Sequence, residues 1–166
     1  KETLKSKEYA KAFLEIMEVE EDESAPSDYP NSNSWRKAEI PAANGHGTAS
    51  GIAKFFGILA SGGSRNGQRL LKSETIKEAT TPKTSGPDIV LFQAPYKFGL
   101  GYQVDAPFSP IGMKDGMFGH TGIAGATGFA DLNYKVGFGF TNNRQHSLGK
   151  LYRTSNNLAK KLYEIL

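Results

Sequence analysis

Apolar residues recur every three or four positions in three segments of the chain, residues 3–19, 48–60 and 150–165. This interval places the apolar side chains on one side of a helix and predicts an amphipathic helix in each segment. The apolar positions, in chain order, are Ala10, Phe13, Leu14 and Met17; Ile52, Phe55, Phe56 and Leu59; and Leu151, Leu158, Leu162 and Ile165.

Cap residues set the predicted ends of two helices. Thr48 precedes the second apolar segment and is its predicted N-cap, because a hydroxyl can accept a bond from the free N–H groups of the first turn. Gly62 and Gly63 follow that segment and predict its end. Ser73 is the predicted cap of a shorter helix further along the chain.

The periodicity changes in the second half of the chain, where large and small residues alternate. Segments 98–104, 117–131 and 135–142 are rich in glycine and show this alternation, which is typical of strands packed closely on one face. Asn133 and Tyr134 are predicted to turn the last hairpin. The segments together predict an antiparallel sheet flanked by helices, a fold of the α+β class.

A polar stretch separates the leading segment from the rest of the chain. Residues 18–23 are mostly acidic, and residues 24–35 are rich in Pro, Ser, Asn and Asp, which favour turns. We therefore predict a leading helix and linker over 1–30 and a single domain over 31–166. A length of 166 residues is sufficient for one such core.

The composition of the chain argues against several classes of function. The net charge is +3, but the lysines are scattered and form no basic run with interleaved aromatics, so nucleic acid is not an expected partner. The chain has no cysteine, which excludes disulfides and thiolate chemistry. No apolar stretch of about 18 residues predicts a membrane-spanning helix. A start at Lys1, without Met or a signal-peptide core, predicts an excised piece of a longer protein.

The triplet His120-Thr121-Gly122 is the main candidate for chemistry. It precedes a glycine-dense turn and a second strand-like segment, so we expect it at the edge of a hairpin, where a substrate carbonyl can approach the backbone. The N–H of Ile123 can donate to a developing oxyanion, and the Thr121 hydroxyl can bind a substrate carboxylate or amide. His120 can relay a proton near neutral pH. The alternative is a half-buried strand with a structural histidine.

Residues 39–63 and 98–143 resemble the C-terminal half of the class C β-lactamase-like serine hydrolases, a group that includes penicillin-binding-protein-like esterases and animal lactamase-like proteins. The resemblance extends over residues 30–166 and implies a partial β-lactamase/transpeptidase-like fold. In that family Ser-x-x-Lys supplies the nucleophile and base, Tyr-x-Asn assists proton transfer, and Lys-Thr-Gly or His-Thr-Gly lines the opposite strand.

The resemblance carries over to one of these three motifs. Residues His120, Thr121 and Gly122 match its strand, and Ile123 inherits the oxyanion-hole N–H. The other two motifs are expected before residue 1. The mechanism that the resemblance implies needs no cofactor and no metal.

Other matches to the family motifs are interpreted as chance. With 13 serines and 15 lysines in the chain, Ser-x-x-Lys arises by chance at Ser34 and at Ser147. Both fail on context, because the nucleophile must begin a hydrophobic helix that desolvates its lysine. Tyr29-Pro30-Asn31 precedes a polar, turn-forming segment, and Lys83-Thr84-Ser85-Gly86 has no strand pattern around it.

Two further polar groups have mainly structural interpretations. His46, between glycines on the turn into the second helix, is expected to order that loop or to rim the cleft rather than to bind metal. Asn142, Asn143 and Arg144 follow the last strand, where they either face the cleft or cap the closing turn.

These observations lead to one functional hypothesis and one alternative. We expect the C-terminal portion of a serine hydrolase that cleaves a small ester, amide or peptide through an acyl-enzyme and is inactive without the missing N-terminal half. Since an imidazole is largely neutral at pH 7, His120 in the place of lysine favours esterase or peptidase activity over β-lactamase activity. The alternative is a non-catalytic binding or self-assembly module, in which exposed sheet edges promote self-association.

Overall fold

A computed structural model of the chain describes residues 32–41, 43–91, 93–122, 125–143, 150 and 152–166. The helix predicted over 3–19 and the matches at Tyr29 and Ser147 lie outside these residues. Backbone packing divides the chain into two compact units, Lys1–Gly47 and Thr48–Leu166. No helix in the described ranges is long and apolar enough to cross a membrane.

The described part of the first unit contains one short helix, α1 (Asn33–Lys37). The Ser32 hydroxyl caps it by accepting a hydrogen bond from the Trp35 N–H at 3.2 Å. The turn-rich stretch predicted over 24–35 is helical at residues 33–35, because the Ser32 cap satisfies one free N–H group of a short helix. The Asn44 amide then donates to the carbonyls of Trp35 and Ala38 and ties the following loop to α1.

The second unit is built on a six-stranded antiparallel sheet whose strands are neighbours in chain order. Every pairing between neighbouring strands of this sheet is antiparallel, which confirms the predicted α+β class. The strands are β3 (Thr84–Asp88), β4 (Ala94–Phe98), β5 (Gln103–Asp105), β6 (Met117–Thr121), β7 (Thr127–Asp131) and β8 (Val136–Phe140). A separate small hairpin pairs β1 (Ser64–Arg65) with β2 (Gln68–Arg69).

Helix α2 (Ala49–Ala60) has the predicted caps. The Thr48 hydroxyl accepts the Gly51 N–H at 3.0 Å, and Gly62 and Gly63 end the helix with φ of 76° and 84°. Helix α3 (Ser73–Thr80) includes Ser73 as its first residue. Its N-cap is Lys72, and no side chain forms a capping hydrogen bond there. The prediction that Ser73 caps α3 is therefore wrong.

Helix α2 lies directly on three glycines of the last two strands. A Cβ atom at Gly137 would overlap the backbone of Gly57, and one at Gly139 would overlap the carbonyl oxygen of Ala49. At Gly128 it would overlap the ring of Phe56. The alternation of large residues with glycine in the sequence therefore reports this close contact between helix and sheet.

The core lies on the two faces of the sheet. One cluster contains the buried residues Phe56, Leu59, Ala60, Ile76, Phe118 and Ala130. The other contains Tyr96, Ala106, Ile111, Met117, Phe129 and Ala159, and α4 (Arg153–Ile165) contributes Ala159 to it.

Two residues of the apolar stripe predicted for the last helix point away from the sheet. Leu158 is 48% exposed and Ile165 is 81% exposed, whereas Ser155 and Ala159 of α4 are fully buried. The Ser155 hydroxyl lies 3.2 Å from the Thr127 hydroxyl on β7. The small side chains of Ser155 and Ala159 let α4 approach the sheet closely enough for this bond.

Residues 98–104, predicted as one strand, contain a chain reversal. Strand β4 ends at Phe98 and β5 begins at Gln103, and the Gly99 N–H donates to the Tyr102 carbonyl at 2.8 Å across the turn. Gly101 has φ of 79°, which glycine adopts readily. Gly101 therefore serves the turn, whereas Gly99 marks a close contact, since a Cβ atom there would overlap the carbonyl oxygen of Ala79 in α3.

A buried carboxylate fastens the last hairpin to α4. Asp131, fully buried at the end of β7, accepts hydrogen bonds from the N–H groups of Asn133 and Tyr134. Its second oxygen accepts the Tyr163 hydroxyl at 2.6 Å. Burial, and then the bond to Asp131, raise the pKa of Tyr163 above its ordinary value of 10.0. The predicted turn at Asn133 and Tyr134 is thus confirmed and held by the carboxylate.

Replacing Gly137 with alanine is expected to destabilise the fold by about 2 kcal/mol or more, because the added methyl group overlaps the backbone of α2. Urea denaturation measures the change in the free energy of unfolding. Gly47→Ala is the matched control, since a Cβ there meets no atom within 4 Å. Equal stabilities for the two variants would contradict the close contact.

Tyr163→Phe is expected to cost about 2 kcal/mol, because the buried Asp131 carboxylate loses one donor. The difference from the unsubstituted chain should stay constant below pH 10 and shrink above it. The reason is that the unfolded tyrosine ionises near 10 while the folded one, with its raised pKa, stays protonated.

Urea denaturation between pH 7 and 11 gives this difference directly. Tyr134→Phe is the control, because Tyr134 is 48% exposed and its bond to Asp131 comes from the backbone. A stability difference between the unsubstituted chain and the Tyr163→Phe variant that grows above pH 10 would contradict the role of this hydroxyl.

Candidate active site

The hairpin of β6 and β7 carries the His-Thr-Gly triplet at its tip. His120 pairs with Gly128 and Thr121 pairs with Thr127. Beyond the strands, the Gly122 N–H donates to the Ala126 carbonyl at 2.8 Å. Ile123, the predicted oxyanion-hole donor, lies outside the described residues. The structure thus places three of the four predicted site residues together at the end of one strand.

His120 is exposed, and a hydrogen bond to the backbone of the next residue holds its ring. The Nδ1–H donates to the carbonyl oxygen of Thr121 at 2.9 Å. Because a carbonyl only accepts, this contact assigns the proton to Nδ1, and the neutral ring keeps a free lone pair on Nε2. The ring also leans against Phe98, with the ring centres 6.5 Å apart. An exposed, oriented imidazole of this kind can accept or return a proton.

Thr121 is bound to a buried glutamine on the neighbouring strand. Its side chain hydroxyl donates to Oε1 of Gln103 at 3.1 Å, and its backbone N–H donates to the same oxygen at 3.1 Å. Thr121 is 8% exposed and Gln103 is 2% exposed. The hydroxyl that the sequence offered for substrate binding therefore already uses its proton within the protein.

At Thr121, a hydrogen bond to the Gln103 side chain takes the place of strand pairing between β5 and β6. Strands β5 and β6, both fully described, pair at Gln103 and Gly119, and this is the one pair of residues that they share. The backbone of β5 therefore does not extend to Thr121, and the Gln103 side chain oxygen accepts the hydrogen bond from the Thr121 N–H instead. Sequence reasoning missed Gln103. Its one signal was a polar residue between two apolar positions of a strand, Tyr102 and Val104.

The matches to the other family motifs lie in different settings. Ser34 belongs to α1 rather than to a loop, with Lys37 one turn later, but both side chains are exposed and α1 has only five residues. The Ser34 hydroxyl lies 3.0 Å from that of Ser32. Ser34 and Lys37 therefore lack the apolar helix that a Ser-x-x-Lys nucleophile and base require.

The Lys-Thr-Ser-Gly segment is part of a strand, against the prediction that no strand surrounds it. Thr84 begins β3, the outer strand of the sheet, and the Lys83 N–H donates to the Phe98 carbonyl at 2.7 Å. Strands β4 and β5 separate it from β6, so it does not contribute to the same edge.

His46 has a local role that its position among glycines suggested. Its Nδ1–H donates to the carbonyl of Asn44 at 2.7 Å, two residues earlier, and the ring is exposed. The bond orders the loop of the first unit. Of the polar group after β8, Asn142 and Asn143 are described, and Arg144 lies outside the described residues.

Known proteins are similar to this chain over most of its length. A family model described as Beta-lactamase matches residues 5–160. Over 108 residues, the chain is 39% identical to Esterase/beta-lactamase LipL of Mycobacterium tuberculosis (strain ATCC 25618 / H37Rv), a match that covers 64% of this chain and 24% of LipL.

Two solved structures share the fold. A family VIII carboxylesterase superposes with a TM-score of 0.65 and 28% identity, over 81% of this chain and 38% of that chain. A penicillin-binding protein homolog from Caulobacter crescentus gives a TM-score of 0.64 and 35% identity, over 76% of this chain and 33% of that chain. The chain therefore spans less than half of the length of each of these three proteins.

Proposed function

We propose that this chain, which belongs to the beta-lactamase family of serine hydrolases, forms the C-terminal wall of an acyl-transfer site. The complete site would hydrolyse an ester, amide or small peptide through an acyl-enzyme. The observation that carries the proposal is the His120-Thr121-Gly122 triplet at the end of β6, with an exposed imidazole oriented by its own strand.

In the proposed reaction, a serine hydroxyl attacks the substrate carbonyl and loses its proton to a base. The negative charge that develops on the carbonyl oxygen is stabilised by backbone N–H groups, and we assign one of them to Ile123. The leaving group departs with a proton, and water then cleaves the acyl-serine bond in the same manner. His120 is suited to hold or return a proton at Nε2, since Nδ1–H is fixed on the Thr121 carbonyl.

The serine and its base are proposed to come from outside these 166 residues. Two observations support this. Ser34 and Lys37, the described Ser-x-x-Lys pair, are exposed on a five-residue helix. The relatives are also much longer than this chain, which covers 24% of LipL and 38% of the carboxylesterase.

The isolated chain is expected to show no covalent labelling by a fluorescent penicillin or by a nitrophenyl ester, because a wall without a nucleophile cannot form an acyl-enzyme. Gel fluorescence and intact-mass spectrometry measure the labelling. The longer natural polypeptide that contains this chain is the positive control, and size-exclusion chromatography establishes that the isolated chain is folded. A stoichiometric adduct on Ser34 or Ser147 would overturn the proposal.

In the longer polypeptide, we expect ester hydrolysis to exceed penicillin hydrolysis, and His120→Lys to shift the balance toward penicillin. An ammonium group carries a full charge at pH 7 and holds a substrate carboxylate more strongly than an imidazole does. The ratio of kcat/KM for a penicillin to that for a neutral ester is expected to rise about tenfold, the effect of one charge-assisted bond.

His120→Gln is the matched control, because it keeps a polar side chain without gaining a positive charge. Efficient penicillin turnover with His120 in place, or an unchanged ratio in His120→Lys, would count against the assignment of esterase or peptidase activity.

A further inference from the structure

We infer that Gln103 is a positioning residue that makes the Thr121 hydroxyl a hydrogen-bond acceptor toward the substrate, and thereby selects against substrates with a carboxylate at that point. The inference rests on the proposed function of the β6 edge as a substrate wall. It adds a residue and a specificity to that wall.

The direction of the bond follows from the chemistry of the two groups. A carboxamide oxygen accepts and cannot donate, whereas a threonine hydroxyl has one proton and two lone pairs. The contact of 3.1 Å between Thr121 Oγ1 and Gln103 Oε1 therefore places the hydroxyl proton on the side of Gln103. What remains on Oγ1 for any other group is lone pairs.

The backbone groups of Thr121 also form hydrogen bonds. Its N–H donates to the same Gln103 oxygen, and its carbonyl accepts the His120 Nδ1–H. A substrate strand therefore finds the Thr121 N–H already engaged, while the carbonyl oxygen keeps one lone pair. The hydroxyl likewise presents only lone pairs to a substrate. A ligand N–H or O–H can donate to its lone pairs, whereas a carboxylate presents only acceptors and is repelled.

Burial makes this arrangement hard to reverse. Gln103 is 2% exposed, and its carboxamide oxygen accepts two hydrogen bonds from Thr121. Turning the hydroxyl proton toward a substrate carboxylate would remove one of these two bonds from the buried oxygen, at a cost that an exposed residue would not incur. Gln103 thus fixes the polarity of Thr121 without itself needing to contact the substrate.

The test compares two nitrophenyl esters that differ in one group, a glutarate monoester with a free carboxylate and its methyl ester. In the longer natural polypeptide, Gln103→Leu releases the Thr121 proton and is expected to raise the kcat/KM ratio of carboxylate to neutral ester about tenfold, mainly through KM. Gln103→Glu keeps an acceptor at this position and is expected to produce no rise. Gln103→Met keeps the length of the side chain and replaces Gln103→Leu if that variant does not fold.

Thr121 variants separate positioning from a general structural effect. In a Thr121→Val background, Gln103→Leu is expected to leave the ratio unchanged, since no hydroxyl remains to be turned, whereas Thr121→Ser should retain the effect. An unchanged ratio in active Gln103→Leu and Gln103→Met, or an equal rise in the Thr121→Val background, would overturn the inference.

A binding measurement keeps the inference distinct from the proposed function. If the unsubstituted protein hydrolyses neither ester, the proposed hydrolase fails. Glutarate binding, followed by NMR of the Thr121 methyl group, then decides about Gln103 alone. Binding that is about tenfold tighter in Gln103→Leu or Gln103→Met supports it, and equal affinities overturn it.

Discussion

The close contact between α2 and the glycines of β7 and β8 sets the separation of helix and sheet in the larger unit. No side chain fits between Gly137 and Gly57, so the helix and the sheet have one possible separation there. Gly128 lies under the ring of Phe56 and is also the residue that pairs with His120 on β6. The strand that carries the candidate site is therefore linked, through Gly128, to the close contact between α2 and the sheet.

At the site itself, side chains do what strand pairing does elsewhere in the sheet. Strands β6 and β7 pair over five residues, but β5 meets β6 at a single pair of their described residues. Beyond that pair, the Gln103 side chain accepts a hydrogen bond from the Thr121 N–H, and the His120 ring donates one to the Thr121 carbonyl. Because the N–H of Thr121 is already bound, this end of β6 is a poorer template for another strand than an edge with free N–H groups.

Several features that the sequence predicted correctly depend on local chemistry. The Thr48 cap, the end of α2 at Gly62 and the turn at Asn133 each follow from one residue and its neighbours. The triplet at the end of β6 was also predicted correctly as part of a hairpin. Other features depend on contacts between distant residues. Strand β3 is polar and lies at the outer edge, so it shows no alternation.

Long-range hydrogen bonds account for two further features that local patterns do not predict. Helix α4 faces the sheet with Ser155 because Thr127 offers a bond there, and Asp131 holds the same helix through Tyr163. Gln103 owes its role to Thr121, which is 18 residues further along the chain.

The most direct test of the account is a crystal structure of the longer natural polypeptide after reaction with an organophosphonate that traps the nucleophile. The account predicts a phosphonyl group on a serine outside these 166 residues, with one phosphonyl oxygen within hydrogen-bond distance of the backbone at residues 122–123 and the His120 ring beside it. A phosphonyl group on a serine of this chain, or one remote from the end of β6, would contradict it.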